Sequence, residues 1–186
     1  MESRDRTGDF ELLQRIEKGD HDAVAALYNA HVDRIYALIL NQVDRDRETA
    51  QEILQETFFS AVKSVGRFRG KSSVYTWLCS IANRKVADFY RHKKREAKHR
   101  VQYPVDTDEM QDTSENITTI IESEESNENI RKILYSLPLH YRQVLLLKYV
   151  EKLPVSEISE IMERSPKSVE GLLTRARKEF QKKLTG

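Results

Sequence analysis

The chain has 186 residues, of which 39% are hydrophobic and 33% charged, and its formal net charge at pH 7 is +1. Its single cysteine, Cys79, excludes an intrachain disulfide and a metal site built from four thiolates. The longest wholly apolar run, Ile35 to Leu40, is far shorter than the roughly 20 residues that cross a bilayer. Residues 1–10 lack the apolar core of a signal peptide, so we expect a soluble, cytoplasmic protein.

Charge is segregated along the chain, although its sum is near zero. Residues 1–65 hold 8 basic and 13 acidic side chains, whereas residues 66–102 hold 11 basic and 2 acidic ones. Residues 103–129 carry 9 acidic and no basic side chains, and residues 130–186 carry 12 basic and 6 acidic ones. Because a solvated globular surface usually mixes its signs, the two basic blocks indicate contact with nucleic acid.

Residues 10–65 have the three- and four-residue apolar spacing of amphipathic helices. Gly19-Asp20 predicts a stop and restart, and residues 41–47 predict a second break. A helix is expected over residues 47–65. Its apolar face would hold Ile53, Leu54, Thr57, Phe58, Ala61, Val62 and Val65. Taken alone, the acidic and amide residues beside that stripe fit a plain surface helix.

Residues 66–100 interleave basic and aromatic side chains. Gly66 to Ser73 predicts a loop, and a helix is expected from Val74 to about Arg95. Basic side chains neutralise phosphates and aromatic faces stack unpaired bases at roughly 1–3 kcal/mol each, so the block suits a DNA strand that is being opened. Trp77, Phe89 and Cys79 lie on the apolar face of the helix and are expected in the core instead.

Residues 101–127 are acidic, rich in Ser, Thr and Asn, and poor in large apolar residues, which predicts a flexible linker with little fixed structure. The chain is therefore expected to be all-α. It would have one small helical domain over residues 1–100 and a second over residues 128–186. We expect the linker to leave the two domains unaligned in the free chain.

The C-terminal block has the pattern of a helix-turn-helix. A short helix over residues 155–162 and a long helix from Pro166 to about Leu184 are joined by a three-residue turn, and Ser165 is a good N-cap. In this motif the first residues of the second helix face base edges, and later basic residues contact phosphates. An ordinary helical hairpin with a basic face is the alternative. The short turn, the Ser-Pro start and the basic helix favour DNA binding.

Three groups of residues, in order, resemble the bacterial sigma-70 family. Residues 50–58 resemble its polymerase-binding helix. The family's melting and minus-ten segments resemble Phe68-Arg69-Gly70, Tyr75-Thr76-Trp77-Leu78 and Ile81-Ala82-Asn83. Its minus-thirty-five domain resembles Leu137-Pro138, Tyr141-Arg142, the helix-turn-helix and Arg175-Ala176-Arg177. The resemblance covers about residues 10–100 and 128–184 and lacks the additional regions of housekeeping members. This pattern is similar to the extracytoplasmic-function (group IV) sigma factors.

The resemblance implies a promoter-specific initiation factor that is not an enzyme and needs no cofactor or metal. The residues implied to face the β′ clamp helices of core RNA polymerase are Glu52, Gln55, Glu56 and Phe59. The residues implied to read and melt the minus-ten element are Arg67, Phe68, Arg69, Lys71, Tyr75, Asn83, Arg84, Asp88, Arg91 and Lys94. The residues implied to read the minus-thirty-five element are Ser165, Lys167, Ser168, Glu170, Gly171, Thr174, Arg175, Arg177 and Lys178. Glu170 and Gly171 depart from the family, which often has a basic residue and then a small polar one after the helix valine, here Val169.

The other partners implied by the resemblance are the polymerase β flap, promoter DNA and an anti-sigma factor, which in the family is often tethered to the membrane. No small-molecule substrate is expected. Two other classes compete. A stand-alone repressor or activator would need a ligand pocket or dimer seam in residues 10–100, where the basic aromatic block lies instead. An enzyme is disfavoured because the 5 histidines lack metal-ligand spacing and no Gly-rich phosphate loop or nucleophile motif is present.

Overall fold

The computed structural model describes the backbone of residues 2–100 and 124–185 and the side chains of residues 8–96 and 128–185. Within these ranges the protein is helical and contains no strand, so the all-α prediction is confirmed. The predicted linker lies largely outside the described residues. The boundaries of the two domains therefore stay a prediction.

The first domain is a bundle of four helices: α1 (Glu2–Glu17), α2 (His21–Leu40), α3 (Arg47–Ser64) and α4 (Val74–Arg100). Both predicted breaks are present, and each is followed by an aspartate N-cap. The Asp20 carboxylate accepts hydrogen bonds from the backbone N–H groups of Asp22 and Ala23, and the Asp46 carboxylate accepts one from the N–H of Thr49. These caps satisfy donors that the first helical turn leaves unpaired. They explain why the helices restart at these positions.

The core of this domain lies where the apolar stripes of α2, α3 and α4 meet. Fully buried residues from these helices include Leu27, Ile35, Ile39, Leu78 and Val86. The buried face of α3 holds Thr49, Ala50, Ile53, Leu54, Thr57, Phe58 and Ala61. Five residues of the predicted stripe are among them, whereas Val62 and Val65 are only partly buried, and Val65 lies beyond the end of α3. The opposite face of α3 is consequently free for a partner.

The second domain comprises α5 (Glu124–Ser136), α6 (Leu139–Leu145), α7 (Val155–Ile161) and α8 (Pro166–Thr185). Helix α6 passes into a π-helical turn at Leu146–Val150. At the end of this turn the backbone N–H of Glu151 donates to the carbonyl of Leu146, and the N–H of Leu153 donates to the carbonyl of Leu147. The chain then reverses at Lys152, whose φ is +55°.

Helices α7 and α8 form the predicted helix-turn-helix. Glu163 in the turn has a φ of +53°, and the Ser165 hydroxyl accepts a hydrogen bond of 3.3 Å from the N–H of Ser168. Buried Ile158 and Ile161 of α7 pack in the same core as Val169 and Leu172 of α8. The motif is therefore held by its apolar faces, and the polar face of α8 remains outside.

The two domains pack against each other, with α7 lying on α4. The sequence analysis expected unaligned domains and did not predict this contact, because the contact depends on single polar side chains that are distant in sequence. These contacts cover part of the first domain's polar surface.

Candidate polymerase and nucleic-acid interface

The outer face of α3 is polar and carries one exposed aromatic ring. Glu52, Gln55 and Glu56 are exposed, and Phe59 is 63% exposed. The Lys63 ammonium lies 4.1 Å from the centre of the Phe59 ring, and the Lys85 ammonium lies 3.1 Å from a Glu56 oxygen. A large exposed apolar side chain rimmed by polar groups is typical of a protein-binding surface. The four residues implied to bind polymerase thus share one accessible face.

The loop before α4 encloses a cavity with an aromatic wall. The cavity has a volume of about 320 Å³ and is lined by Phe10, Phe68, Arg69, Gly70, Lys71, Ser72, Ser73 and Val74. The Phe68 ring lies 5.1 Å from the Trp77 ring and 6.4 Å from the Phe10 ring. The basic residues of the loop, Arg67, Arg69 and Lys71, are exposed around it. Aromatic walls with a basic rim suit an unpaired base and its phosphate.

Phe10 is a functional candidate that the sequence did not single out. It contributes a wall of this cavity from α1, and its side chain is 41% exposed. Its apolar spacing in α1 suggested a core position. The sequence gives no signal for its place at the cavity, because the loop is almost sixty residues away.

Helix α4 presents a polar stripe further along the chain. The side chains of Arg84, Asp88 and Arg91 are 57%, 46% and 69% exposed, and Asp88 and Arg91 form an ion pair. Lys94 is exposed further along the same helix. Tyr75 and Asn83, also implied to contact the minus-ten element, are each only 7% exposed, and each is in contact with a residue of the second domain, Glu151 and Gln143 respectively. The structure therefore brings most of this group to the surface and covers two members.

The N-terminal half of α8 is the accessible side of the helix-turn-helix. Exposed residues of the group implied to read the minus-thirty-five element are Ser165, Lys167, Glu170, Thr174, Arg175, Arg177 and Lys178, and Ser168 and Gly171 are half-buried. Arg177 differs from the others because its side chain lines an apolar groove beside Phe180. Its Nε donates to the carbonyl of Leu173 at 3.3 Å. The remaining residues form a separate polar surface along α8.

His140 lies in a small cleft between the domains, together with Asn83, Arg84, Glu163 and Arg164. Burial and the nearby positive charges of Arg164 and Arg175 lower the pKa of His140 below its ordinary value. A protonated imidazole beside two arginines is unfavourable for electrostatic reasons. The protonation of His140 is therefore coupled electrostatically to Arg164 and Arg175.

The apolar groove of the second domain is a surface that the sequence did not predict. It has a volume of about 420 Å³ and is lined by Ile130, Leu134, Leu145, Leu146, Tyr149, Val150, Arg177, Phe180, Gln181 and Leu184. Tyr149 and Val150 are about half exposed at 54% and 51%. Four segments supply its walls, so no single periodic pattern marks it. A groove of this shape and polarity fits an apolar helix of a partner protein.

The contact between the domains centres on Glu151. Its carboxylate accepts a 2.5 Å hydrogen bond from the Tyr75 hydroxyl and lies 3.2 Å from Nε of Arg34. The Arg34 guanidinium also stacks 3.7 Å from the centre of the Tyr75 ring. Burial raises the pKa of Tyr75, and burial raises the pKa of the adjacent Cys79 thiol to about 12. Cys79 is fully buried, which confirms the core position predicted for it.

A second group of contacts links the end of α2 to α6. Gln143 Nε2 donates to Oε1 of Gln42 at 3.0 Å and to the carbonyl of Asn83 at 3.3 Å. The Arg142 guanidinium donates to the carbonyl of Gln42 at 3.0 Å and lies 4.6 Å from the Tyr135 ring centre. Three buried side-chain atoms in this group have no hydrogen-bond partner: Gln42 Nε2, Asn83 Oδ1 and Arg142 Nε. The interface is therefore polar and incompletely satisfied.

Two further properties concern the described part of the chain as a whole. No cluster of three His, Cys, Asp or Glu side chains within it has the arrangement of a metal site. None of its helices combines the length and apolar character that a membrane span requires.

Comparison with known families matches both domains. The family model of Sigma-70 region 2 matches residues 27–96, and that of Sigma-70, region 4 matches residues 127–180. RNA polymerase sigma factor YlaC of Bacillus subtilis is 31% identical over 168 residues, which cover 88% of this chain and 93% of the relative. ECF RNA polymerase sigma factor SigW of the same organism is 30% identical, with 92% and 94% covered.

Solved structures share the fold at lower identity. The sigma factor RpoE of Bartonella quintana, solved in complex with the anti-sigma factor NepR, has a TM-score of 0.64 at 17% identity and covers 84% of this chain and 93% of its own. CnrH, solved in complex with the cytosolic domain of CnrY, has a TM-score of 0.65 at 20% identity, with 95% and 97% covered.

Sigma-70 proteins are non-enzymatic initiation factors that bind core RNA polymerase and direct it to promoter DNA. Their two DNA-binding regions correspond in order to the two domains described above. This correspondence excludes the enzyme and stand-alone repressor alternatives. The chain belongs to the sigma-70 family, and within it to the extracytoplasmic-function group of RNA polymerase sigma factors.

Proposed function

We propose that this sigma factor binds core polymerase through the exposed face of α3 and opens promoter DNA at the loop and outer stripe of α4. The observation that carries the first half is Phe59, a 63% exposed phenylalanine among polar residues on a helix whose other face is core. Aromatic residues at the centre of an interface commonly supply a large part of its binding energy. The β′ clamp helices are the surface of core polymerase that would receive Phe59.

The cavity beside the loop is the proposed site for a base of the opened strand. Flipping a base out of the duplex costs a few kcal/mol, and stacking on an aromatic side chain returns about 1–3 kcal/mol. Phe68 supplies such a ring, and Arg69 and Lys71 supply charge for the adjoining phosphates. No covalent chemistry is required, because the protein favours the melted promoter by binding the unpaired strand that melting produces.

The exposed half of α8 is the proposed reader of the minus-thirty-five element. Lys167 and Glu170 would face base edges, and Arg175 and Lys178 would contact phosphates. Arg177 lines the groove, so we assign it there rather than to DNA. The β flap of core polymerase is the proposed occupant of the groove. Holding both DNA readers on one polymerase raises their combined affinity for a promoter.

We also propose that an anti-sigma factor controls this protein in the cytoplasm, where its polymerase and DNA are found. Such a factor would compete for the α3 face and the groove. A protein of the same fold, the sigma factor RpoE, was solved with the anti-sigma factor NepR, which supports the proposal for this chain. A protein that co-purifies from the native host must block run-off transcription when added back. A partner that leaves transcription unchanged overturns the proposal.

Run-off transcription with core polymerase on a library of host promoter fragments tests the main proposal. Wild-type protein should produce specific starts. The Phe59→Ala variant should bind core at least about tenfold more weakly, the loss expected for an aromatic anchor. Glu11→Ala, at an exposed position of α1 away from α3, is the control and should behave as wild type. Duplex binding without specific starts, or full core affinity in the Phe59 variant, overturns the assignment.

A further inference from the structure

The apolar stripe of α1 continues one turn beyond the core of the first domain. Leu13 and Ile16 of this helix are buried, whereas Phe10 is an exposed ring. Residues three apart lie on the same face of a helix, so Phe10 extends the stripe that Leu13 and Ile16 begin. At its position the stripe meets the loop before α4 instead of the core, and Phe10 lines the cavity there.

Contacts on both sides of Phe10 fix α1 against its neighbours. Nε2 of His31 in α2 donates a hydrogen bond of 3.0 Å to Oδ2 of Asp9, and both side chains are largely buried. Toward the end of α1, a Cβ atom at Gly66, in the turn before the loop, would come within 2.9 Å of a Glu17 carboxylate oxygen. The ring of Phe10 is therefore carried by a helix that is already in place. Such a group loses less conformational freedom when it binds than a mobile one does.

The ring of Phe10 is the outermost of three aromatic rings. Trp77 and Phe68 are partly buried and pack on the core, and Phe10 is the most exposed of the three. The Phe10 and Phe68 rings are 6.4 Å apart with their planes at 50°, which is an ordinary contact distance for an aromatic pair. Because these two rings already pack on each other, a base does not fit between them. The exposed part of the Phe10 ring is what remains for a ligand.

We propose that Phe10 is itself a DNA-binding residue: its exposed ring stacks on the unpaired base that enters the cavity, so that α1 takes part in promoter opening together with the loop. This inference rests on the proposed function of the cavity. Arg69 and Lys71 are exposed at the rim, where the phosphates next to that base would lie. Every base has a π-face, so Phe10 favours the opened strand without specifying which base is bound.

Binding of a partly unpaired promoter by the holoenzyme tests the proposal. The full-length chain is combined with core polymerase, and the probe is a promoter fragment found by run-off transcription whose nontemplate minus-ten strand is left unpaired. Phe10→Leu keeps an apolar side chain but removes the flat ring, and should bind the probe about tenfold more weakly. Phe10→Tyr restores a ring and should recover most of that loss. Glu11→Ala, an exposed neighbour that does not line the cavity, is the control and should bind as wild type.

A series of abasic probes distinguishes stacking from an indirect effect on the loop. Each probe lacks one base of the unpaired strand. At one position, removal of the base should abolish the difference between wild type and Phe10→Leu, because the ring then has nothing on which to stack. At the other positions the tenfold difference should remain. A difference that persists on every abasic probe, or full affinity of Phe10→Leu for the intact probe, overturns the proposal.

The salt dependence of binding provides an independent readout. Phe10→Leu removes no charge, so the slope of log affinity against log salt concentration should equal that of wild type. Arg69→Gln, which removes a cation from the rim, should reduce the slope by about 0.7, the value for one phosphate contact on a single strand. A reduced slope in Phe10→Leu would mean that the ring acts by placing the basic rim, and overturns the proposal.

The same samples separate this inference from the proposed function. If wild-type holoenzyme produces specific starts but no abasic position abolishes the effect of Phe10→Leu, only the role of Phe10 fails. If wild-type holoenzyme produces no specific starts, the proposed function fails and the role of Phe10 fails with it.

Discussion

Gln143 of the second domain donates a hydrogen bond of 3.0 Å to the side-chain oxygen of Gln42 in the first domain. Both residues are buried, at 5% and 0% exposure, and the Gln42 Nε2 atom on the other side of the amide has no partner. The pair thus joins two domains across 101 residues of sequence and leaves one amide donor unsatisfied. This arrangement makes the strength of the interface adjustable in both directions.

Replacing both amides by leucine should strengthen the interface. The double change Gln42→Leu with Gln143→Leu removes the orphaned donor and its neighbour together, which is neutral or stabilising for a buried pair. The free energy of unfolding should rise by about 1 kcal/mol relative to wild type. The measurement is urea denaturation followed by circular dichroism.

The single change Gln143→Leu is the matched control and has the opposite expectation. It leaves the entire Gln42 side-chain amide buried without a partner, which costs about 1–3 kcal/mol in the folded protein. The single variant should therefore have a lower free energy of unfolding than wild type. If the single and double variants behave alike, the hydrogen-bond account of the interface is wrong.

The Cys79 thiol should be nearly inert. Burial raises its pKa to about 12, whereas an unperturbed cysteine has a pKa of about 8.5. Near pH 8 its thiolate fraction, and with it the rate of reaction with Ellman's reagent, should be about 10³-fold below that of a free cysteine. The rate should rise with pH toward the shifted pKa and should become ordinary after denaturation. Fast reaction of the native protein would instead support a redox role.

Helix boundaries were predictable because their signals are local. Asp20, Asp46 and Ser165 are short polar residues placed directly before apolar periodicity, and all three accept hydrogen bonds from the first turn of a helix. The exposed face of α3 could likewise be predicted, since the position of Phe59 follows from the helical period once Ile53 and Phe58 are assigned to the core. These inferences use residues within one or two turns of each other.

Contacts between distant segments could not be predicted in this way. The carboxylate of Glu151 meets the hydroxyl of Tyr75 across 76 residues, and neither residue belongs to a repeating pattern. The Tyr75 side chain is covered by Arg34 of the first domain and contacted by Glu151 of the second, whereas its aromatic character alone suggested exposure to DNA. The apolar groove was missed for the same reason, because Ile130 and Phe180 become neighbours only after α5 and α8 pack.

Gly171→Ala should stabilise the second domain. A Cβ atom at this position would lie 3.5 Å from a guanidinium nitrogen of Arg175, which is an ordinary contact, and the residue is inside α8. Alanine in a helix interior is favoured over glycine by about 0.5–1 kcal/mol, so the free energy of unfolding should rise by that amount. The measurement is urea denaturation followed by circular dichroism.

The comparison variant for this change is Gly70→Ala. Gly70 has a φ of +66°, a left-handed conformation that costs a residue with a Cβ atom about 1–2 kcal/mol. This variant should lose stability in the first domain. A loss of stability in the Gly171 variant would mean that its position requires glycine for a reason other than backbone conformation or space.

The pKa of His140 should rise when the second domain binds DNA. Burial and the charges of Arg164 and Arg175 lower it in the free protein, so the folded state binds fewer protons than the unfolded state near pH 6. The contribution of neutral His140 to the free energy of unfolding is therefore fully present above about pH 6.5 and is lost as the pH falls through the lowered pKa. Phosphates neutralise the two arginines, and the imidazole then protonates more easily. DNA binding should take up a proton and tighten as the pH is lowered toward 6.

This shift is measured directly by titrating the His140 ring by NMR. The titration is carried out with and without a duplex that carries the minus-thirty-five element found by transcription. His140→Gln should remove the pH dependence of DNA affinity near neutrality while leaving the affinity at about pH 8 close to that of wild type, because His140 is already uncharged there. A His140 pKa that stays constant or falls when DNA binds would place Arg164 and Arg175 away from the phosphates. The α8 surface proposed to read the promoter would then need to be reassigned.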